Sequence, residues 1–500
     1  MKLPASFKNW VSITGAVLAI FNLACILSLA LLTTFFDFGG SYIGLFIYII
    51  LPGFMVAGLF MIPIGMRIYG KRLRKAEENG EVKNWPILNF NNVATRNAAI
   101  IFIFGTVFLI IISSVGSYEA FHYTESVEFC GKLCHQVMEP EYTTYHGSAH
   151  ERVACVECHV GAGASWYVKS KMSGLYQVYS VIAKKYPTPI PTPIANLRPA
   201  QETCEKCHWP QKFYDNKLRV KHSYLTDETN TEIIRHMLVK TSTTTTAAGV
   251  VKGIHQHISP DVKIEYKTNT ANRQEIPWVK YTNVKTGESY VYVDSDSGLS
   301  QQKLDSLETR VMDCLDCHNR PSHNYNAPQN FIDNSLFAGK ISKTLPSIKS
   351  LAMQALYPEY STKDSAFMAI EKVVTDFYTA SYPDILQNRK ADVDAAIAEI
   401  QNGYANNIFP FMKSSWKAYP NNLGHMESNG CYRCHNNRHA TETGRVISKD
   451  CNLCHNIKAQ GTADSMEYAI NDSWLEFKHP VDIGDAWQTE LCSSCHSALY

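Results

Sequence analysis

Fourteen of the fifteen cysteines stand in seven pairs, and each pair is followed at once by a histidine. The pairs are Cys130/Cys134, Cys155/Cys158, Cys204/Cys207, Cys314/Cys317, Cys431/Cys434, Cys451/Cys454 and Cys492/Cys495; the histidines are His135, His159, His208, His318, His435, His455 and His496. Six motifs are strict C-x-x-C-H and the first is C-x-x-x-C-H, while random placement predicts roughly 0.02 strict matches. Zinc ribbons, redox pairs and disulfide frameworks also use cysteines two residues apart, but none requires a histidine after every second one. The spacing suits c-type haem: two thiols bond the porphyrin's vinyl positions and the adjacent histidine reaches the iron. Seven covalent haem c groups are expected. The last three motifs are closely spaced, and segments that short cannot bury a normal core, so the porphyrin discs must supply much of the buried surface.

Three stretches are long and apolar enough to cross a bilayer: about Trp10 to Phe36, Ile43 to Met66 and Ala98 to Val115. The connection between the second and third carries Arg67, Lys71, Arg72, Arg74, Lys75, Lys83 and Arg96, whereas that between the first and second has no Lys or Arg. The basic loop is therefore expected in the cytoplasm. The N-terminus then also lies inside, the first span is a retained signal-anchor, and everything after Ser117 is outside. All seven motifs fall there, on the periplasmic side where c-type haem is attached in bacteria.

The expected fold is mainly α, with three transmembrane helices, a periplasmic haem-packed region and a small β-rich insert. The boundaries read as 1–116 for the anchor, 117–216 for a three-haem region, 217–300 for the insert and 301–500 for a four-haem region. Alternation in Val262-Lys-Ile-Glu-Tyr266 and Ser289-Tyr-Val-Tyr-Val293 marks strands. Amphipathic runs between about Ile341 and Trp416 mark helices, and the proline-rich run 186–194 reads as extended polyproline II. A net charge of +1 gives no reason to expect nucleic acid.

Eleven histidines remain for the second axial position. His150, His222, His257, His323, His425, His439 and His479 are the expected distal ligands, from their positions around the motifs. His255 competes with His257, while His146 and His236 read as structural. At the first motif Met138 offers a thioether to the iron. His122 stays open among a distal ligand, a quinol-binding base and an interfacial residue.

Three spans followed by Phe129-Cys-Gly-Lys-Leu-Cys-His-Gln-Val-Met138 and Arg152-Val-Ala-Cys-Val-Glu-Cys-His159 resemble the NapC/NirT family of membrane cytochromes. With Gly253-Ile-His-Gln-His257, Gln274-Glu-Ile-Pro-Trp278 and Cys317-His-Asn-Arg-Pro321, the likeness is to its heptahaem inner-membrane members and covers nearly the whole chain. The resemblance implies oxidation of menaquinol from the membrane pool and delivery of electrons to periplasmic c-type cytochromes or other redox proteins, in anaerobic or extracellular respiration. Assembly as a homo-oligomer or within a larger membrane complex stays open. Family members typically have one anchor helix and a C-x-x-C-H first site, so the three spans and the extra spacer residue are departures. Lys169 and Lys171 match the family's quinol-site lysine loosely, and Gln177 stands where an acid is expected.

A quinol releases two protons with its two electrons, so groups able to take protons are needed near the membrane exit. His122, Glu119 and Glu125 are the candidates, with Lys169 and Lys171 as cations; the pocket is expected between the third span and the first two motifs. Two other readings are a terminal periplasmic reductase of a small oxyanion and a haem-based sensor. The first needs an open iron position, and no motif ending in Lys marks one. The second needs an output domain, for which the cytoplasmic loop is too short.

Overall fold

The computed structural model describes residues 7, 9–36, 47, 50–77, 89–161, 164–194, 198–209, 213, 216–243 and 253–497. Two compact units emerge, Met1–His135 and Gln136–Tyr500. Lys83 of the basic loop and residues 43–46, 48 and 49 of the second expected span lie outside the described residues.

The first unit holds three long helices, α1 (Trp10–Phe36), α2 (Leu51–Glu77) and α3 (Val93–Glu125). Each contains a stretch apolar enough to cross a membrane. Their large apolar side chains, Phe21, Phe60 and Phe104 among them, point outward, the reverse of a water-soluble core. Two small-residue surfaces bring α1 and α2 together: a Cβ on Gly15 would lie 2.5 Å from the carbonyl oxygen of Gly58, and one on Gly58 would lie 2.7 Å from that of Gly15. Ser12 Oγ donates to the carbonyl of Ile62 at 2.9 Å across the same crossing. In lipid, where apolar burial gives no net gain, such close approach and hydrogen bonding hold helices together. α3 runs beyond the expected end at Val115 to Glu125, past Glu119 and His122. Ser126 then caps a short helix over Val127–Lys132 by accepting from the Phe129 amide at 3.0 Å, so the chain enters the first motif in ordered backbone.

In the second unit come α4 (His135–His146) and α5 (Ala164–Ile182). The proline-rich run turns through two cis bonds, Thr188–Pro189 and Thr192–Pro193, and is not one continuous polyproline II segment. One antiparallel sheet has the order β1-β2-β8-β9, from Asn216–Tyr224, Glu232–Lys240, His455–Thr462 and Ser465–Tyr468. The other has the order β6-β3-β4-β5-β7, from Thr309–Val311, Val262–Lys267, Trp278–Asn283, Ser289–Asp294 and His439–Ala440. Both sheets draw strands from beyond residue 300, so the β structure is larger than a local insert.

Five helices between the fourth and fifth motifs form a haem-free bundle: α6 (Pro328–Phe337), α7 (Ile348–Leu356), α8 (Lys363–Ser381), α9 (Pro383–Asn388) and α10 (Lys390–Asn407). Its core of Ile332, Leu345, Ile348, Ile370, Val374, Ile400 and Tyr404 is the most continuous apolar cluster among the described residues. α8 starts on a capping box between Thr362 and Ser365. The bundle docks on the β1–β2 hairpin through polar pins: Asn230 donates to the Leu345 carbonyl at 2.8 Å, and Asp333 takes the Tyr224 amide at 3.3 Å and the Lys349 ammonium at 2.5 Å.

Candidate haem-binding site

Each C-x-x-C-H motif forms a single tight turn. In Cys314–Cys317, Asp313 caps the turn from the Leu315 amide at 2.8 Å, and Asp316 closes the capping box. The His318 amide then bonds back to the Cys314 carbonyl at 2.8 Å. The same return bond joins His208 to Cys204 at 2.8 Å and His435 to Cys431 at 3.0 Å. Thiols and imidazole are thereby set on one side of a rigid turn.

Opposite six of the seven motif histidines stands a second histidine. The pairs, with the distance between ring centres, are His159–His323 at 6.3 Å, His208–His150 at 6.1 Å, His318–His255 at 6.4 Å, His435–His257 at 5.9 Å, His455–His425 at 6.2 Å and His496–His479 at 6.1 Å. An iron midway between two imidazoles, with metal–nitrogen bonds of about 2 Å and nitrogens about 1.1 Å from their ring centres, sets those centres about 6 Å apart. All six gaps therefore fit an axial histidine pair.

The outward ring nitrogens support the same orientation. Nδ1 of His150 lies 3.0 Å from the Pro321 carbonyl, that of His255 2.6 Å from Thr241, that of His257 2.7 Å from Ile254, that of His323 3.0 Å from Glu141, and that of His479 2.7 Å from Val481. A carbonyl accepts only, so at His150, His255, His257 and His323 Nδ1 carries the proton and Nε2 keeps a lone pair for a metal; at His479 the Val481 amide also points to Nδ1, at 3.3 Å. Burial, with His455 adding to it, pushes His425 down to about 4. Its ring is thus neutral near pH 7, the ligating form.

Five of the facing histidines are among those expected from sequence: His150, His257, His323, His425 and His479. Two expected ligands stand elsewhere. His439 is fully buried, with Nδ1 3.0 Å from Asn436 Oδ1 and Nε2 2.7 Å from the Ile276 carbonyl, so both nitrogens are committed to oxygen. His222 bonds Glu232 at 2.7 Å and stacks on Phe337 at 4.0 Å. His255 takes a facing place that sequence reasoning had left in competition. A legible signal existed: in the 3-10 turn Ile254–Ile258, residues two apart project to different sides, so His255 and His257 serve two different motifs.

Ten of these twelve histidines line one cavity of about 2050 Å³, with cysteines from the last five motifs and Cys158. Single-ligand pockets usually measure about 300–1,000 Å³. This volume is of a size for several large groups side by side. The attachment points also succeed one another in chain order. Burial raises Cys204 to about 11 and the thiols of Cys314 and Cys158 add to it; burial and then Cys431 raise Cys317 to about 12. Burial, Cys431 and Cys451 raise Cys454 to about 11, and burial and Cys451 raise Cys492. From the second motif to the seventh, each site thus lies within electrostatic reach of the next.

The residues of the first motif are not among those that line this cavity. Cys130 and Cys134 close the first unit, His135 begins α4, and Met138 is on the same helix, half-buried. Of the residues expected at a quinol site, Glu119, His122 and Glu125 lie on the last turns of α3, with the His122 ring 4.4 Å from that of Tyr118. Lys169 and Lys171 are on α5; Lys169 is exposed and its ammonium lies 4.9 Å over the Trp166 ring.

Residues 92–190, from the start of α3 through the first two motifs, match the N-terminal region of the NapC/NirT cytochrome c family. The chain is also 40% identical over 491 residues to cytochrome c-type protein ImcH of Geobacter sulfurreducens, covering 98% of this chain and 95% of that one. No solved structure matches. With membrane-length helices, C-x-x-C-H turns and facing histidines agreeing with both similarities, the chain belongs to the NapC/NirT cytochrome c family and is a membrane electron-transfer protein with covalently bound haem c.

Proposed function

We propose that this protein is a heptahaem quinol dehydrogenase of the bacterial inner membrane, taking electrons from menaquinol and passing them to periplasmic redox partners. The observation that carries the reading is the set of six facing histidine pairs beside C-x-x-C-H thiols. Six-coordinate haem c exchanges single electrons without binding substrate, and axial histidine on both faces suits low potential. These pairs leave little room for the oxyanion reductase, which needs an open iron position.

The chain's own residues have three tasks. The thiols fix each haem covalently, and the paired imidazoles hold the iron with Nδ1 anchored on backbone carbonyls. The cavity wall sets Ile, Val, Met and Tyr side chains among the motif cysteines and histidines, an apolar surface for the porphyrins to pack against. Of the chain's residues, His122, Glu119 and Glu125 at the end of α3 suit acceptance of the protons that quinol releases. The cations Lys169 and Lys171 of α5 suit stabilisation of negative charge developing on a quinol oxygen. Quinol is confined to the bilayer, and α3 leads straight into the Cys130 motif, which supports the first haem as the entry point.

The double variant Lys169→Met/Lys171→Met tests the site. Mixed with a menaquinol analogue, it should reduce its haems at least about tenfold more slowly than wild type, as removal of one charge-stabilising group typically costs. Reduction by dithionite should be unchanged. Quinol oxidation at the wild-type rate would overturn these lysine roles.

A further inference from the structure

β1 and β2 turn one face toward the large cavity, with Arg219, Lys221 and Ser223 from β1 and Ile233, Arg235 and Met237 from β2. Lys221 and Arg235 are partners in the antiparallel register and sit directly across from one another. Like charges in that relation repel. Neither side chain has an ion pair among the described residues, and Arg235 Nε is shielded from solvent without a hydrogen-bond partner there. Its guanidinium lies 4.8 Å over the Phe477 ring, which also faces the cavity. Carboxylates on the same wall are engaged elsewhere: Asp333 with Lys349 at 2.5 Å, Asp313 with Arg310 at 2.7 Å and Glu427 with Asn330 at 2.7 Å. Two cations that face a largely apolar cavity without a direct ion pair among the described residues suit an anion brought by the cavity's occupant.

We infer that Lys221 and Arg235 form a carboxylate-binding site for the propionate side chains of the haems attached at the last two motifs, Cys451/Cys454 and Cys492/Cys495. Placement identifies these two. Arg235 pairs in register with Gln460 on β8, the strand that begins at His455. The Phe477 ring under Arg235 lies 6.3 Å from that of His479, the histidine that faces His496 of the last motif. A guanidinium fork matches a carboxylate through two parallel hydrogen bonds, and an ammonium beside it supplies a second positive charge. The site rests on the haem reading proposed above.

Its test is a potentiometric titration of the purified full-length protein, followed optically, comparing wild type with Arg235→Gln and Arg235→Lys. A cation beside a haem favours the reduced iron, so Arg235→Gln should move at least one component of the curve to lower potential while haem content by mass stays the same. Arg235→Lys should keep the wild-type curve. If Arg235→Gln does not fold, Lys221→Gln should show the same downward shift. A full haem complement with curves superimposable on wild type would overturn the carboxylate site. A wild-type protein lacking haem at the last two motifs would instead overturn the haem reading on which it stands.

Discussion

At the scale of single residues, ligand and non-ligand histidines are distinguished by what their outward nitrogen touches. A carbonyl on Nδ1 with Nε2 facing another imidazole describes His255, whereas carbonyl and amide oxygens on both nitrogens describe His439. The two should behave differently on substitution. His255→Ala should convert one low-spin haem, that of His318, to a high-spin form in the electron paramagnetic resonance spectrum. His439→Gln should leave every low-spin signal in place and act only on stability. Motif spacing alone cannot show this difference, because a distal ligand comes from anywhere the fold brings it: His323 reaches back to His159, and His257 reaches forward to His435.

At the scale of elements, the haem-free bundle meets the β1–β2 hairpin through buried polar contacts of Asn230 and Asp333 and exposed ones such as Lys343–Glu232. Inside the bundle Lys349 is 1% exposed, and among the described residues its ammonium meets Asp333 and the Gln329 carbonyl. Lys349→Met would leave the Asp333 carboxylate buried and uncompensated. It should cost about 3–5 kcal/mol in denaturation measurements, whereas loss of an exposed pair such as Lys372–Asp376 should cost less than about 1 kcal/mol. Much of this architecture was legible in advance. The three membrane helices follow from apolar length, β3 and β5 from alternation, and α10 from its amphipathic spacing. The strands β7 and β8 were missed. β7 is two residues long and carries no period, whereas β8 alternates Ile457, Ala459 and Gly461 with Lys458, Gln460 and Thr462, a strand signal that starts on the motif histidine His455 and went unread beside it. Both are strands because β2 and β5 offer them an edge.

At the scale of the whole molecule, the chain combines two solvents. The first unit turns its apolar side chains outward, and the second turns its apolar side chains and all but one of the motifs inward around a large cavity. Covalently bound haem is what makes the second arrangement stable, since without it a cavity of that size has nothing to pack against. The most direct test is the intact mass of the purified, denatured protein, because thioether bonds survive unfolding and axial bonds do not. The expected result is the polypeptide plus seven haems, falling to six in Cys130→Ala/Cys134→Ala, which removes both thioether bonds of the first motif. A wild-type mass with fewer than seven haems would contradict the heptahaem reading, and seven haems retained in the double variant would contradict haem attachment at the first motif.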